Sequence, residues 1–220
     1  MRTIIIDFPL RGEWVYLKPP GHHKFAFDFV KVGKNQKRYS NGSFFKYLFG
    51  KISAIDFYCW SMPIFAPVDG VVLQASDGWQ DNRSVNLINT IIIWFRATFL
   101  FRPKINDGNI DIRPNAGNFV MIKTNSGEIV FMAHMRNGSL KVVTGQQVVA
   151  GQAIGDVENS GNTTEPHLHI NLFDQMDNPL KAKVIQFAFS EFKKQTGNLW
   201  IPVRNDVPKT SGETIRAVPN

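Results

Sequence analysis

Residues 138–170 read GSLKVVTGQQVVAGQAIGDVENSGNTTEPHLHI, and their grammar decides the fold. Glycines at 145, 151, 155 and 161 cut the stretch into short apolar pieces. Such pieces are too brief for helices and suit very short strands joined by tight turns. The stretch ends in PHLHI, residues 166–170, which alternates strictly. In a strand that alternation puts His167 and His169 on one face and turns Leu168 and Ile170 to the other, into a core. The histidines therefore share a rigid support, a few ångströms apart, as a metal or catalytic site requires.

The same grammar extends outward. MPIFAPVDGVVLQAS, residues 62–76, reads as a strand, a turn at Asp69-Gly70 and a second strand. GNFVMIKTNSGEIVFMAHM, residues 117–135, repeats it, with a turn at Asn125-Ser126-Gly127 and a second strand ending near His134. KFAFDFV, residues 24–30, is a further aromatic strand. Many short strands at close spacing predict a mainly β fold, a sandwich or barrel. Three segments depart from this. In residues 84–101, Leu87, Ile88, Ile91, Ile92, Phe95 and Phe99 fit helical spacing, so a helix is expected whose apolar face packs on the domain. Such a face could also lie on a membrane surface. Residues 31–51 carry six cations (Lys31, Lys34, Lys37, Arg38, Lys46, Lys51), no acid and five interleaved aromatics. No nucleic-acid motif accompanies them, so they read as an insertion with solvated lysines over a small aromatic cluster; a membrane-surface contact through 31–51 is the other use of such a mixture. PLKAKVIQFAFSEFKKQTG, residues 179–197, mixes both periods and decides nothing.

The formal net charge of +7 favours anionic partners, such as wall polymers, anionic lipid or nucleic acid, without choosing among them. Cys59 is the only cysteine, which excludes an internal disulfide framework and a cysteine-based metal site. Any metal must be held by histidine and carboxylate. The opening residues MRTIIIDFPLRGEW do not read as a signal peptide, because the apolar run stops at Asp7. The apolar run of residues 87–101 is too short and too interrupted to span a bilayer.

The five histidines, His22, His23, His134, His167 and His169, fall in three short segments that could meet on one sheet face. Asp28 lies between Phe27 and Phe29, and a carboxylate in so apolar a setting needs a partner. Two histidines and one carboxylate are a known catalytic zinc set that leaves one tetrahedral position for water. Zinc there lowers the pKa of that water and polarises the carbonyl under attack.

At this point the residues resemble a family. HHKFAFD, MPIFAPVDGVV, GNFVMIK, AHM at 133–135 and the thirty-odd residues ending in EPHLHI are similar, in order, to the motifs of the lysostaphin-type, LytM-like zinc metallopeptidases. The resemblance covers roughly residues 12–173, less insertions near 31–60 and 79–116. It implies an antiparallel β-sheet groove, a barrel-sandwich hybrid with a duplicated motif, and one zinc ion per chain at its floor. It implies one LytM-like domain over residues 1–220, with a C-terminal extension at about 174–220. It implies hydrolysis of stem or cross-bridge peptides of peptidoglycan, in the cell envelope, and makes nucleic acid an unlikely partner. By the same resemblance Asp28 and His169 are metal ligands, and His134 and His167 act as general base and as stabilisers of the oxyanion. The family's usual first ligand stands four residues before the aspartate, where this chain has Lys24. His23 lies five before and His22 six before. Strand parity favours His22, whereas a one-residue bulge would bring His23 round. Similar sequences with this local pattern point to His23, so His23 is expected and His22 is the alternative. A catalytically inactive LytM-like scaffold is the second functional reading; such a chain would lack a ligand, and this one has the full set. The glycine-rich stretch also resembles lipoyl-like domains, but it has no suitable lysine at a hairpin tip.

Overall fold

Strands dominate a computed structural model of the chain, which describes residues 3–19, 21–33, 38–95, 104–106 and 109–218. Twelve strands form one sheet. They are β1 (Ile4–Ile6), β2 (Glu13–Leu17), β3 (Ala26–Val30), β4 (Gly70–Ser76), β5 (Asn118–Thr124), β6 (Ile129–Met135), β7 (Gln147–Val148), β8 (Leu168–Phe173), β9 (Val184–Ile185), β10 (Phe187–Thr196), β11 (Leu199–Asp206) and β12 (Thr214–Ala217). The order along the sheet is β1-β10-β12-β2-β3-β8-β6-β5-β4-β7, with β9 added to β8 and β11 to β10. β1 runs parallel to β10; the other pairings in the sheet are antiparallel. The fold class expected from the sequence, mainly β, is the one observed.

One face of this sheet holds the principal core. Trp14, Phe27, Phe29, Ile64, Leu168, Ile170 and Phe189 are all buried in it. Burying one such side chain fully stabilises the fold by about 1.5–3 kcal/mol over leaving it in water. The alternation of PHLHI is realised there: Leu168 and Ile170 are fully buried while His169 faces the other way. The opposite face carries a smaller apolar cluster that includes Phe119, Met121, Phe131 and Ala133, and it is on this face that the histidines gather.

The two strands read in residues 62–76 both form, but they do not pair with each other. Pro63–Phe65 pairs with Ala153–Asp156, while β4 lies between β5 and β7. The hairpin β5–β6 turns where expected, with Gly127 at φ +107°. The undecided segment at 179–197 becomes β9 and the long strand β10, whose Phe187, Phe189 and Phe192 enter the core. Helices are few among the described residues: α1 (Phe44–Phe49), α2 (Leu87–Phe95) and α3 (Arg113–Ala116). Ser43 caps α1 by accepting a hydrogen bond from the Lys46 N–H. The helix predicted over 84–101 exists from Leu87 to Phe95; residues 96–101 lie outside the described residues, as do Lys34 and Lys37 of the basic segment. Its apolar face does not pack on the domain as expected. Ile88, Ile91 and Ile92 are exposed. No helix among the described residues is long and apolar enough to cross a membrane.

Candidate metal centre

Asp28 and His169 meet because β3 and β8 are neighbours in which these two residues stand directly opposite each other. Directly opposed side chains lie on the same face, so both reach out of the histidine face of the sheet. His169 Nδ1 is 2.8 Å from Asp28 Oδ1. His22 arrives from the turn before β3, where its own N–H donates to Pro19 O and the Ala26 N–H donates to His23 O. His22 Nε2 is 3.3 Å from Asp28 Oδ2. The register of β3 against both neighbours runs without a shift, so the bulge that would have turned His23 inward is absent. His23 is exposed, and its Nδ1 accepts from the Phe25 N–H instead. The structure thus brings His22, and not the preferred His23, to Asp28 and His169.

One donor atom from each of His22, Asp28 and His169 lies within 4.8 Å of the others. Ligands about 2.1 Å from a tetrahedral zinc stand about 3.4 Å apart, so this cluster needs only small movement to hold one. The chemistry of the donors agrees. Asp28 is almost fully buried, which by itself would raise its pKa; His167, His169 and His22 around it outweigh burial and hold it well below the usual carboxylate range. Burial pulls His22 below its ordinary 6.5 against the attraction of Asp28, which keeps it neutral as a ligand must be. His169 faces an oxygen at each ring nitrogen: Asp28 at Nδ1 and, 3.0 Å from Nε2, Asn171 Oδ1. With Asn171 Oδ1 as the acceptor, the ring proton sits on Nε2, and the Nδ1 lone pair turned to the carboxylate is then open to a second proton or a metal. Burial lowers the pKa of His169, yet its bonds to Asp28 outweigh that and leave it raised.

His134 and His167 complete the group. Asn118 pairs with Met135 but Val120 pairs with Met132, so β6 carries one extra residue at 133–134. Ala133 stands opposite His169, and the next residue would ordinarily point into the core. The bulge turns His134 back to the site face, with the backbone at φ +62°, a conformation that costs energy in any residue but glycine. Its ring lies 4.6 Å from that of His167 and 5.9 Å from that of His169, centre to centre. The His134 Nδ1 proton goes to Ser160 O at 2.8 Å, and burial, helped by the neighbouring imidazoles, holds the pKa of His134 well below 6.5. His167 gives its Nδ1 proton to Glu165 O at 2.8 Å, with Thr163 Oγ1 at 3.0 Å, and presents Nε2 to Asp28 Oδ1 at 3.6 Å. Both rings therefore show a bare Nε2 to the site.

The supporting residues Asn171, Ser160, Thr163 and Glu165 escaped the sequence reading. So did Glu158, whose N–H donates to His134 O and whose own carbonyl accepts from the His167 N–H. A signal existed in ENSGNTTE, a run of polar residues inside an apolar stretch: Glu158, Asn159, Ser160 and Thr163 are all buried. Gly117 and Gly161 let this segment lie against α3, since a Cβ at Gly161 would stand 2.4 Å from the Gly117 nitrogen. Cys59 Sγ holds the approach to His167 by bonding Pro166 O, and burial pushes its thiol up to about 12, so it is inert at neutral pH. Beside Thr163 opens a polar cleft of about 130 Å³, lined in part by Asn82, Asn159 and the inner side of α2 at Asn89 and Ile93.

Residues 105–181 match the model of peptidase family M23. Among solved structures, one from Pseudomonas aeruginosa assigned to peptidase M23 is 20% identical over 78% of this chain, with a TM-score of 0.42; this chain spans about half of it (46%). The catalytic domain of the antimicrobial peptidase lysostaphin from Staphylococcus simulans is 16% identical over 82% of this chain and 88% of its own, with a TM-score of 0.40. A zinc-containing peptidase from Vibrio cholerae is 17% identical over 78% of this chain and 36% of its own, with a TM-score of 0.41.

Proposed function

We propose that this chain, which carries the peptidase family M23 segment at residues 105–181, is a zinc metallopeptidase whose metal is held by His22, Asp28 and His169. The observation that carries this reading is the convergence, on one sheet face, of a three-donor cluster with two further histidines whose Nε2 atoms are bare. Zinc in that cluster would supply a Lewis acid that activates water near neutral pH and polarises a peptide carbonyl. The chain supplies the rest. Asn171 fixes the His169 tautomer so that Nδ1 is the donor atom, as hydrogen-bonded neighbours commonly do at metal sites. His167 is the proton acceptor: Glu165 O holds its Nδ1 proton, which leaves Nε2 free to take one from the site. His134 stays neutral because burial opposes its protonation, so it accepts a hydrogen bond and orients the polar hydrogen it meets. Once protonated, His167 also becomes the donor available to an oxyanion.

The substrate class we infer is the stem or cross-bridge peptide of peptidoglycan, for which the motif resemblance and a net charge of +7 facing anionic wall polymers are the support. We read residues 1–220 as one such domain, with the insertions near 31–60 and 79–116 and the extension from about 174. The continuous pairing of β12 with β2 supports that reading.

Metal analysis of purified His22→Ala and His23→Ala proteins, beside wild type and Asp28→Asn, tests the ligand set. Wild type and His23→Ala should each carry about one zinc per chain, and the other two close to none. Retention of zinc by His22→Ala with loss from His23→Ala would move the first ligand to His23. Full hydrolysis of a wall preparation by His167→Ala would remove its role as proton acceptor.

A further inference from the structure

Two segments outside the catalytic cluster share one unusual surface. Phe44, Phe45 and Phe49 of α1 are 71%, 75% and 81% exposed. The helix packs few of its own residues inward, and none is buried. α2 lies against it and adds Ile88, Ile91 and Ile92, also exposed. A soluble surface tolerates single apolar side chains, but three phenylalanines and three isoleucines exposed on two helices that lie against each other exceed that and point to an interaction site.

Charge decides the occupant. Residues 38–55 and 82–95, which carry the patch, contain Arg38, Lys46, Lys51 and Arg83 and no acid. All four cations are exposed. Lysine is depleted from the cores of protein–protein interfaces, where it must be desolvated. Phenylalanine and isoleucine tips set among lysines are instead what a bilayer of anionic lipid accepts: the rings enter the headgroup–acyl boundary while the ammonium groups meet phosphate. We propose that α1 and α2 form a docking face for an anionic membrane surface. The inner side of α2, at Asn89 and Ile93, lines the cleft that reaches Thr163, the residue bonded to His167. This inference is independent of zinc and of hydrolysis.

Flotation of the full chain with vesicles tests it, using phosphatidylcholine alone and phosphatidylcholine with about one third phosphatidylglycerol. Wild type should float with the anionic vesicles, less so as salt rises, and equally with and without a zinc chelator. The partition coefficient should fall at least about tenfold in Phe44→Ser/Phe45→Ser/Phe49→Ser and in Lys46→Glu/Lys51→Glu. Ile88→Ser/Ile91→Ser on the other helix gives the same reading should the triple variant fail to fold. Wild type that stays with the aqueous fraction overturns the proposal. So does equal flotation of wild type and folded variants. A dimer in sedimentation that the serine variants abolish, with no vesicle binding, would assign the face to a second copy of the chain instead.

Discussion

Replacing Glu158 with glutamine should make the protein more stable at pH 8 and leave it unchanged at pH 4. Glu158 is 2% exposed, takes one hydrogen bond from Trp60 Nε1 at 2.9 Å, and lies near the negative Asp81; burial, chiefly, and that charge push its carboxyl up to about 7. In the unfolded chain the group titrates near its ordinary 4.5. The folded state therefore holds the proton more tightly, and its advantage is complete below 4.5 and drains away as pH rises to 7. The gap between 4.5 and about 7, at about 1.4 kcal/mol per pH unit, makes the loss about 3.5 kcal/mol at most above pH 7. Glutamine keeps an oxygen for Trp60 and cannot ionise, so it escapes the loss. Urea unfolding of both proteins at pH 4 and pH 8, with zinc in excess throughout, isolates the effect. The two should agree at pH 4, and the variant should gain about 1–3 kcal/mol at pH 8. A variant less stable than wild type at pH 8 would show that Glu158 is ionised in the fold and paired, and the reasoning would fail.

Zinc uptake near pH 6.5 should release a proton, because His169 titrates above its ordinary value and its Nδ1 proton must leave before a metal can bind; calorimetry in buffers of different ionisation enthalpy reads the number directly. Gly161→Ala should cost more than about 2 kcal/mol of stability, since φ is +83° there and the added Cβ meets backbone of the 115–117 turn; thermal unfolding decides it, and a change below about 0.5 kcal/mol would contradict the tight packing described. Thr163→Val should lower kcat by only a few fold with zinc content intact, because Glu165 O continues to hold His167 Nδ1; loss of zinc would place Thr163 in the metal site rather than behind the proton acceptor.

Some of this site is written in local sequence. The alternation of PHLHI sends Leu168 and Ile170 into the core, whereas His22 reaches Asp28 from a turn, where strand parity does not apply. Preference for His23 relied on a bulge near β3 that the register does not contain. A bulge does exist, but in β6, where nothing in VFMAHM announces it; its position depends on how β5 lies alongside. The same is true of Asn171 and Ser160, whose polar side chains and carbonyls acquire meaning only through partners elsewhere in the chain. The helix over residues 87–95 was legible from its period, while the fate of its apolar face was not, because a 3.6-residue repeat says which side is apolar and nothing of what covers it.

The pairing of β3 with β8 joins Asp28 to His169 across 141 positions of sequence. At synthesis rates of about 5–20 residues per second, Asp28 waits roughly 7 to 28 s for the imidazole opposite it to be made. Through that interval Asp28 and His22 stand without His169, and neither His134 nor His167 has its final neighbours. A chain interrupted anywhere before residue 169 is left without the donor set. The order in which the strands are written thus keeps the donor cluster incomplete until β8 has been made.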